Sequence, residues 1–403
     1  MKIFQLNTFC GIKSTGRIAT DIALLLEAEG HECRIGYGAG NVPKALERFA
    51  FRIGNPPERK WHGAIRKFFD AEGYGSHWGT LCLIRELKRF QPDIIHFHNL
   101  HGCYLNFRLL FRYLHKNQIP VVWTLHDCWS MTGHCAYFEY ANCRKWQQKC
   151  GKCPQLRSYP ICLGFDGSRR NLRHKKKLFS GLPQVRLVTP SLWLKGYVEQ
   201  SWLNEYSAQV IYNGVDFSVF APAKEKEYLR KRYQISEKYI VLAVAAEWDD
   251  RKGLRYLLKA EKVWGSDYRL VIVGLSAAQI TALPKSVIGI QSTENVAELV
   301  AWYSLADVFA NPTLEDNMPM VNLEALACGT PVAVFKTGGC PEAIDETCGM
   351  VVEKGDAAEL AQAVMALAPQ KQALIENCLR RACLFEAQTC YAQYLQLYKE
   401  LLV

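Results

Sequence analysis

Two successive α/β domains, each a doubly wound, Rossmann-like parallel sheet covered by helices, are what this sequence predicts, on three observations. The chain has 403 residues, room for two or three domains of roughly 100–200 residues each. Short apolar runs of strand length alternate with stretches of helical spacing, first over residues 2–125 and again over 185–367. Between the two series, about 128–180 breaks the rhythm. It holds many Cys, Trp, Arg and Lys and few periodic apolar positions, and reads as an irregular insertion.

Residues 2–6 are the opening strand. Residues 16–30 carry Ile18, Ile22, Leu25 and Leu26 at helical spacing and stop at Gly30, a good C-terminal cap. A second strand covers 33–37; 93–97 and 121–125 are two more, with a helix over 107–116 between them. After the insertion, strands cover 185–189, 210–212, 239–245, 270–273, 308–310 and 332–335, and helices cover 253–263, 296–304, 321–328 and 357–367. A long last helix, about 372–402, has room to turn back onto the first domain. The boundaries that follow are 1–188, 189–384 and a returning helix at 385–403. Two such domains leave a cleft, and ligands of open α/β sheets bind outside the carboxyl ends of the strands. Chemistry is therefore expected just after each strand.

Composition narrows the function classes. With 49% hydrophobic and 22% charged residues, disorder and fibrous repeats are excluded, and no 20–50-residue repeat stands out. The net charge of +10 points to an anionic partner: a nucleotide, a nucleic acid or an acidic membrane surface. The first residues have one early cation and an apolar patch broken by Gln5 and Asn7, unlike a signal peptide. No run approaches the ~18 apolar residues of a spanning helix. The expectation is a cytoplasmic protein whose 16 cysteines stay reduced.

The richest segment is PTLEDNMPMVNLEALACGTP, 312–331. A strand ends at Asn311-Pro312, a loop carries Glu315 and Asp316, and Glu324 lies in the first turns of the next helix. Carboxylates at a strand end and a helix start suit sugar hydroxyls, since each accepts two hydroxyl protons. Upstream, AEWDDRK (246–252) follows a strand and ends in Arg251 and Lys252, two cations at a helix mouth that suit a diphosphate. Gly274 ends another strand where a small residue lets a base or ribose approach, and Thr337-Gly338-Gly339 offers backbone N–H groups to phosphate.

The run 324–331 (EALACGTP), followed by TGGCPE at 337–342, resembles the donor-site signature of retaining glycosyltransferases of family four, which have the two-domain GT-B fold. Asn213-Gly-Val-Asp216 resembles that family's NGVD turn. The resemblance implies that Glu324 binds the ribose and that a carboxylate eight positions earlier contacts the transferred sugar. That position is Asp316, where the family usually has Glu, so either Asp316 substitutes or Glu315 does through a shifted loop. It also implies that Lys252 meets the diphosphate; Glu247 stands where the family has Arg, and Arg251 takes over its part.

In the first domain, Ser14-Thr15-Gly16-Arg17 follows the first strand and opens the first helix, where Gly16 permits close approach of a phosphate or sugar. It is not GxGxxG, which argues against a dinucleotide oxidoreductase. His126-Asp127 follows a strand directly and resembles the family's His-Asp, where the His contacts the transferred sugar. The preceding strand ends in IIHFHNLHG, whose HxH pattern suggests zinc; acceptor contacts from His98, Asn99 or His101 are the preferred reading.

Cys135, Cys143, Cys150 and Cys153 fit a structural Zn²⁺, disulfides or unliganded thiols. SRRNLRHKKKLF, 168–179, is the densest basic stretch, with Leu172, Leu178 and Phe179 as an apolar side. It suits either a solvated helix face or peripheral contact with anionic lipid at the inner face of the membrane. No nucleic-acid motif accompanies it.

The expected function is a retaining transferase moving a sugar from a UDP- or GDP-sugar to a hydroxyl acceptor, with a lipid-linked saccharide as one candidate acceptor. The setting is bacterial capsule, O-antigen or exopolysaccharide synthesis, and the resemblance implies no catalytic metal. An epimerase or phosphorylase on the same fold, and a silent sugar-nucleotide-binding protein, are the alternatives.

Overall fold

Seven strands make the sheet of the first unit: β1 (Lys2–Asn7), β2 (Glu32–Tyr37), β3 (Ala50–Arg52), β4 (Ile94–Phe97), β5 (Val121–Thr124), β6 (Val185–Thr189) and β7 (Ser207–Val210). In this computed structural model, which describes residues 1–402, they pair in parallel in the order β3-β2-β1-β4-β5-β6-β7. The central strands read IIHF and VVWT with every position buried, as a sheet covered on both faces requires. Helices α1 (Lys13–Ala28), α2 (Pro56–Phe69), α3 (His77–Phe90), α4 (Phe107–Asn117), α5 (Ser168–Phe179) and α6 (Leu192–Glu199) accompany them.

The second unit has β8 (Tyr239–Val244), β9 (Tyr268–Val273), β10 (Val287–Ile290), β11 (Val308–Asn311), β12 (Val332–Phe335) and β13 (Gly349–Val352). All are parallel, in the order β10-β9-β8-β11-β12-β13. Its helices are α7 (Tyr228–Arg232), α8 (Leu254–Trp264), α9 (Ala277–Thr281), α10 (Val296–Leu305), α11 (Met320–Ala327), α12 (Ala357–Leu367), α13 (Lys371–Ala382) and α14 (Ala387–Leu401). α14 begins in this unit, but Tyr391 onward belongs to the first.

Four sequence expectations need correction. The first unit runs to Tyr212, not 188, because β6 and β7 complete its sheet. The strand expected at 210–212 lies at Ser207–Val210. The last helix is broken between α13 and α14: Glu386 leaves helical geometry (φ −64°, ψ 131°) and caps the next helix through the amides of Gln388 and Thr389. Val215 also holds this break open, donating to Phe385 O and accepting from Ala387 N.

The insertion, fourth, is not wholly irregular, since it ends in α5. Leu172, Lys175 and Phe179 recur at helical spacing and point inward, a period hidden in the sequence by the surrounding cations. Phe179 stacks on Phe111 at 4.4 Å between ring centroids and meets Trp123 edge-on at 5.2 Å. Of the apolar side assigned to lipid, Leu172 and Phe179 are therefore part of the core, and Leu178 is half-buried against it. Among the described residues no helix is long and apolar enough to cross a membrane.

Candidate functional site

Four loops leave the carboxyl ends of β9, β8, β11 and β12, which are neighbours in the second sheet. They interlock through backbone that leaves no room for side chains. A Cβ on Gly274 (φ +98°) would lie 1.7 Å from Ala245 O, and one on Gly338 (φ +57°) 1.7 Å from Asp316 O. Gly274 thus serves close packing of two loops of this chain, and Gly338 lays the 337–339 loop on Asp316. Of the backbone N–H groups expected to meet phosphate, that of Gly339 is already used, donating to Asn317 O (2.7 Å), and the next amide along, Cys340 N, closes the turn on Thr337 O. The hydroxyl of Thr337 is buried and has no partner among the described residues.

Lys252 and Arg251 both fold onto the acidic loop. Lys252 Nζ donates to Asp316 Oδ2 at 2.5 Å, and Arg251 Nη1 donates to Glu315 O at 2.7 Å. Burial raises the Asp316 carboxyl, but Lys252 and then Arg251 outweigh it and hold its pKa below the usual range. The expected helix mouth is a 3₁₀ turn, Asp250–Lys252, capped by Asp249, and α8 begins after Gly253. Glu247 is exposed. Glu315 is buried, as is Glu324, which accepts from Tyr303 Oη at 2.8 Å. Asn213 donates to Met318 O, tying the NGVD turn to the same loop.

In the first unit, the carboxyl ends of β1, β4 and β5 meet. His98 lies between Gln5 Oε1 (2.8 Å) and His126 Nε2 (3.0 Å), and His101 Nε2 pairs with Asp127 Oδ2 at 2.9 Å. Asn99 N donates to Asn7 Oδ1. His98 and His101 are 2% and 5% exposed, so they buttress His126 and Asp127 more than they offer a surface. The HxH rings do not converge on a common point, since His96 spends both nitrogens on Tyr398 Oη and Thr124 Oγ1. Gly16 sits inside the first turn of α1 against Phe9, packed on its own chain, because the helix starts at Lys13.

Burial lowers the pKa of His96 and His98 well below 6.5 and that of His126 to about 4. These rings are neutral in the fold and protonate when it opens. Each therefore favours the fold above pH 6.5 and loses that contribution as pH falls through its lower folded value, about 4 for His126, at up to about 1.4 kcal/mol per pH unit. His134 is affected oppositely: burial works against its charge, but Asp70 at 2.6 Å prevails and raises its pKa, so its contribution is complete below pH 6.5 and is lost as pH rises through its higher folded value. The urea midpoint should fall between pH 7 and 5 while the His126 ring signal stays unchanged by NMR. A flat midpoint with His126 titrating near 6.5 would contradict this.

The four insertion thiols make no disulfide. Cys135 and Cys153 share a hydrogen bond that raises the first thiol and lowers the second, with Cys150 and Cys143 alongside. Among the described residues, the potential ligand group that closes within 4.8 Å lies elsewhere: His62, Glu72 and Cys103. There His62 Nε2 already accepts from Gly73 N and Glu72 Oε1 from the amides of Gly102 and Cys103, so the group is internally satisfied.

Several partners had no local signal in the sequence. Tyr303 reaches Glu324 from α10, and Tyr159 reaches His101 from the insertion. Lys175, counted among surface cations, is buried 3.1 Å from the Trp129 ring centroid and donates to Trp129 O and Thr132 O. Burial brings its pKa down to about 7.

Comparison with known proteins adds the following. Residues 15–219 match the family described as Glycosyltransferase Family 4, and 238–369 match Glycosyl transferases group 1. The chain is 26% identical over 420 residues to the putative colanic acid biosynthesis glycosyl transferase WcaC of Escherichia coli K12, covering 100% of each. A D-inositol 3-phosphate glycosyltransferase of Pseudarthrobacter chlorophenolicus is 32% identical over 169 residues, 38% of this chain and 40% of that protein. Among solved structures, sucrose-phosphate synthase from Thermosynechococcus elongatus superposes with a TM-score of 0.72 at 17% identity, covering 99% of this chain and 98% of that one. Anabaena HepE in complex with UDP-glucose superposes at 0.69 and 16%, covering 99% and 100%.

Proposed function

The chain belongs to glycosyltransferase family 4 and has the GT-B fold, and from that premise we propose that it transfers a sugar from a nucleotide-sugar donor to a hydroxyl acceptor with retention of configuration. The observation that carries the reading is the pairing of Lys252 with Asp316 beside Arg251 on Glu315 O, at the carboxyl ends of adjacent strands. A cation held at a carboxylate can be shared with an arriving diphosphate, whose growing charge it stabilises as the sugar departs. Glu324 takes the ribose hydroxyls, Asp316 or Glu315 the transferred sugar, and neutral His126, fixed by His98, a sugar hydroxyl. The departing phosphate assists removal of the acceptor proton, so the site acts by positioning and electrostatics.

HepE, whose structure holds UDP-glucose, supports a uridine nucleotide donor, with GDP-sugars as the second class. WcaC supports a role in bacterial surface polysaccharide synthesis. A cytoplasmic place, at the inner face of the membrane, fits the exposed cations of α5. The structural zinc expected on the four insertion thiols finds no closed ligand set, since no three of them gather within 4.8 Å of one another among the described residues.

The test is a thermal-shift screen with UDP, GDP and their sugars, followed by NMR of the product's anomeric coupling. A ligand at 100 times its Kd stabilises the fold by about 2.7 kcal/mol. A shift with a nucleotide sugar and a product retaining the donor's anomeric configuration are expected. No shift with any of them, or an inverted product, would defeat the reading; turnover without acceptor would favour an epimerase.

A further inference from the structure

We propose that the cavity between α4 and α5 of the first unit binds a phosphate or diphosphate group carried on an apolar chain. The cavity has a volume of about 820 Å³, within the range of small-molecule sites. Arg108 and Arg112, one turn apart on α4, line it with His174 and Lys177 of α5. Phe107 and Leu178 supply apolar lining.

The cations have no counter-charge. Among the described residues Arg108, Arg112 and Lys177 are exposed, and no ion pair is formed by any of them. The carboxylate in the lining, Glu72, is committed to the amides of Gly102 and Cys103. The local field is felt by His174: burial first, then Arg170, Arg173, Lys177 and Arg108, keep its imidazole below the usual range. Like charges gathered in one concavity repel, and a phosphate oxygen relieves that repulsion through charge-assisted hydrogen bonds. Tyr74 Oη holds His174 Nδ1 at 2.6 Å, fixing the ring at the wall.

An apolar chain has a surface to follow. Arg170 lies 4.9 Å over the Tyr74 ring and donates to Phe69 O. Phe69 in turn stacks on Phe165 at 5.8 Å, and these rings are 49% and 73% exposed, with Ile161 and Leu163 also exposed on the same segment. Aromatic side chains beside cations are the composition of surfaces that meet amphiphiles. The inner wall leads to the acceptor-side group: Phe107 and Lys175 pack on Trp129, whose amide donates to Asp127. That this ligand anchors the acceptor rests on the transferase reading; the binding itself does not.

The test uses the full chain at 0.15 M salt, with calorimetry against farnesyl diphosphate, farnesol and inorganic pyrophosphate, and flotation with phosphatidylglycerol vesicles. Farnesyl diphosphate should bind at least tenfold more tightly than either fragment. The double variant Arg112→Glu, Lys177→Glu should lose at least tenfold, while Lys252→Ala binds it like the unaltered protein. Vesicle binding that the double variant loses, without affinity for farnesyl diphosphate, would assign the same phosphate chemistry to a bilayer headgroup. Unchanged binding by the double variant, or binding lost on Lys252→Ala, would overturn the site. Binding here with no thermal shift from any nucleotide would retain this site and remove the transferase.

Discussion

Glu324→Ala should weaken binding of the nucleoside diphosphate by one to two orders of magnitude. Glu324 is 5% exposed and receives one hydrogen bond from Tyr303, which fixes the carboxylate on α11. Removing it leaves ribose hydroxyls desolvated without an acceptor, a loss of about 1–3 kcal/mol, or roughly 5- to 150-fold. Calorimetry with UDP and GDP reads this directly. Tyr303→Phe keeps the carboxylate and should lose much less. Unchanged affinity in the alanine variant, with its unliganded melting temperature intact, would count against the ribose role.

Lys252→Met should lower kcat by about 10²–10³-fold, the scale of removing one preorganised group at developing charge. It also strips Asp316 of its main counter-charge. In the unaltered protein the depressed Asp316 carboxyl favours the fold above pH 3.8, and that contribution fades as pH falls through its lower folded value. In the variant burial is less opposed, so this acid-side dependence shrinks and stability near pH 7 drops. Lys252→Met combined with Asp316→Asn removes both charges and should recover the melting temperature without recovering turnover. Full activity of Lys252→Met would remove the diphosphate role, and recovery of activity in the double variant would show that its loss was only a folding defect.

How far the site could be read from sequence depended on distance along the chain. Glu324 follows Asp316 by eight positions, the spacing of the family signature this segment resembles, and Lys252 sits at a strand end, so these candidates could be named from the sequence. The pairing of Lys252 with Asp316 spans 64 positions, and no pattern of charges specifies which acid receives which base. The Thr337-Gly338-Gly339 loop, expected to offer its amides to phosphate, has the Gly339 amide already donating to Asn317 O, a partner no local pattern announces. The residue types were right for a phosphate loop, but an amide's free direction is set by the neighbouring loop it lies against.

The buried histidines show the same limit. IIHFHNLHG reads as a strand end offering acceptor contacts, while Gln5, Thr124, Tyr398 and Asp127, brought from elsewhere in the unit, bury its imidazoles in a supporting network. α5 failed for a different reason: its inward Leu172, Lys175 and Phe179 are helical in spacing, but charge density around them imitates a solvated face.

By itself, the sequence determined the alternation of strands and helices, the two parallel sheets and the loops where chemistry belongs. Those follow from local hydrophobic period and from turn residues, which neighbours in sequence decide. Only the tertiary structure decided the partners: Lys252 on Asp316, Tyr303 on Glu324, and three unpaired cations around one cavity. A hydrogen bond or a cavity wall depends on groups tens to hundreds of residues apart, and packing alone brings those together.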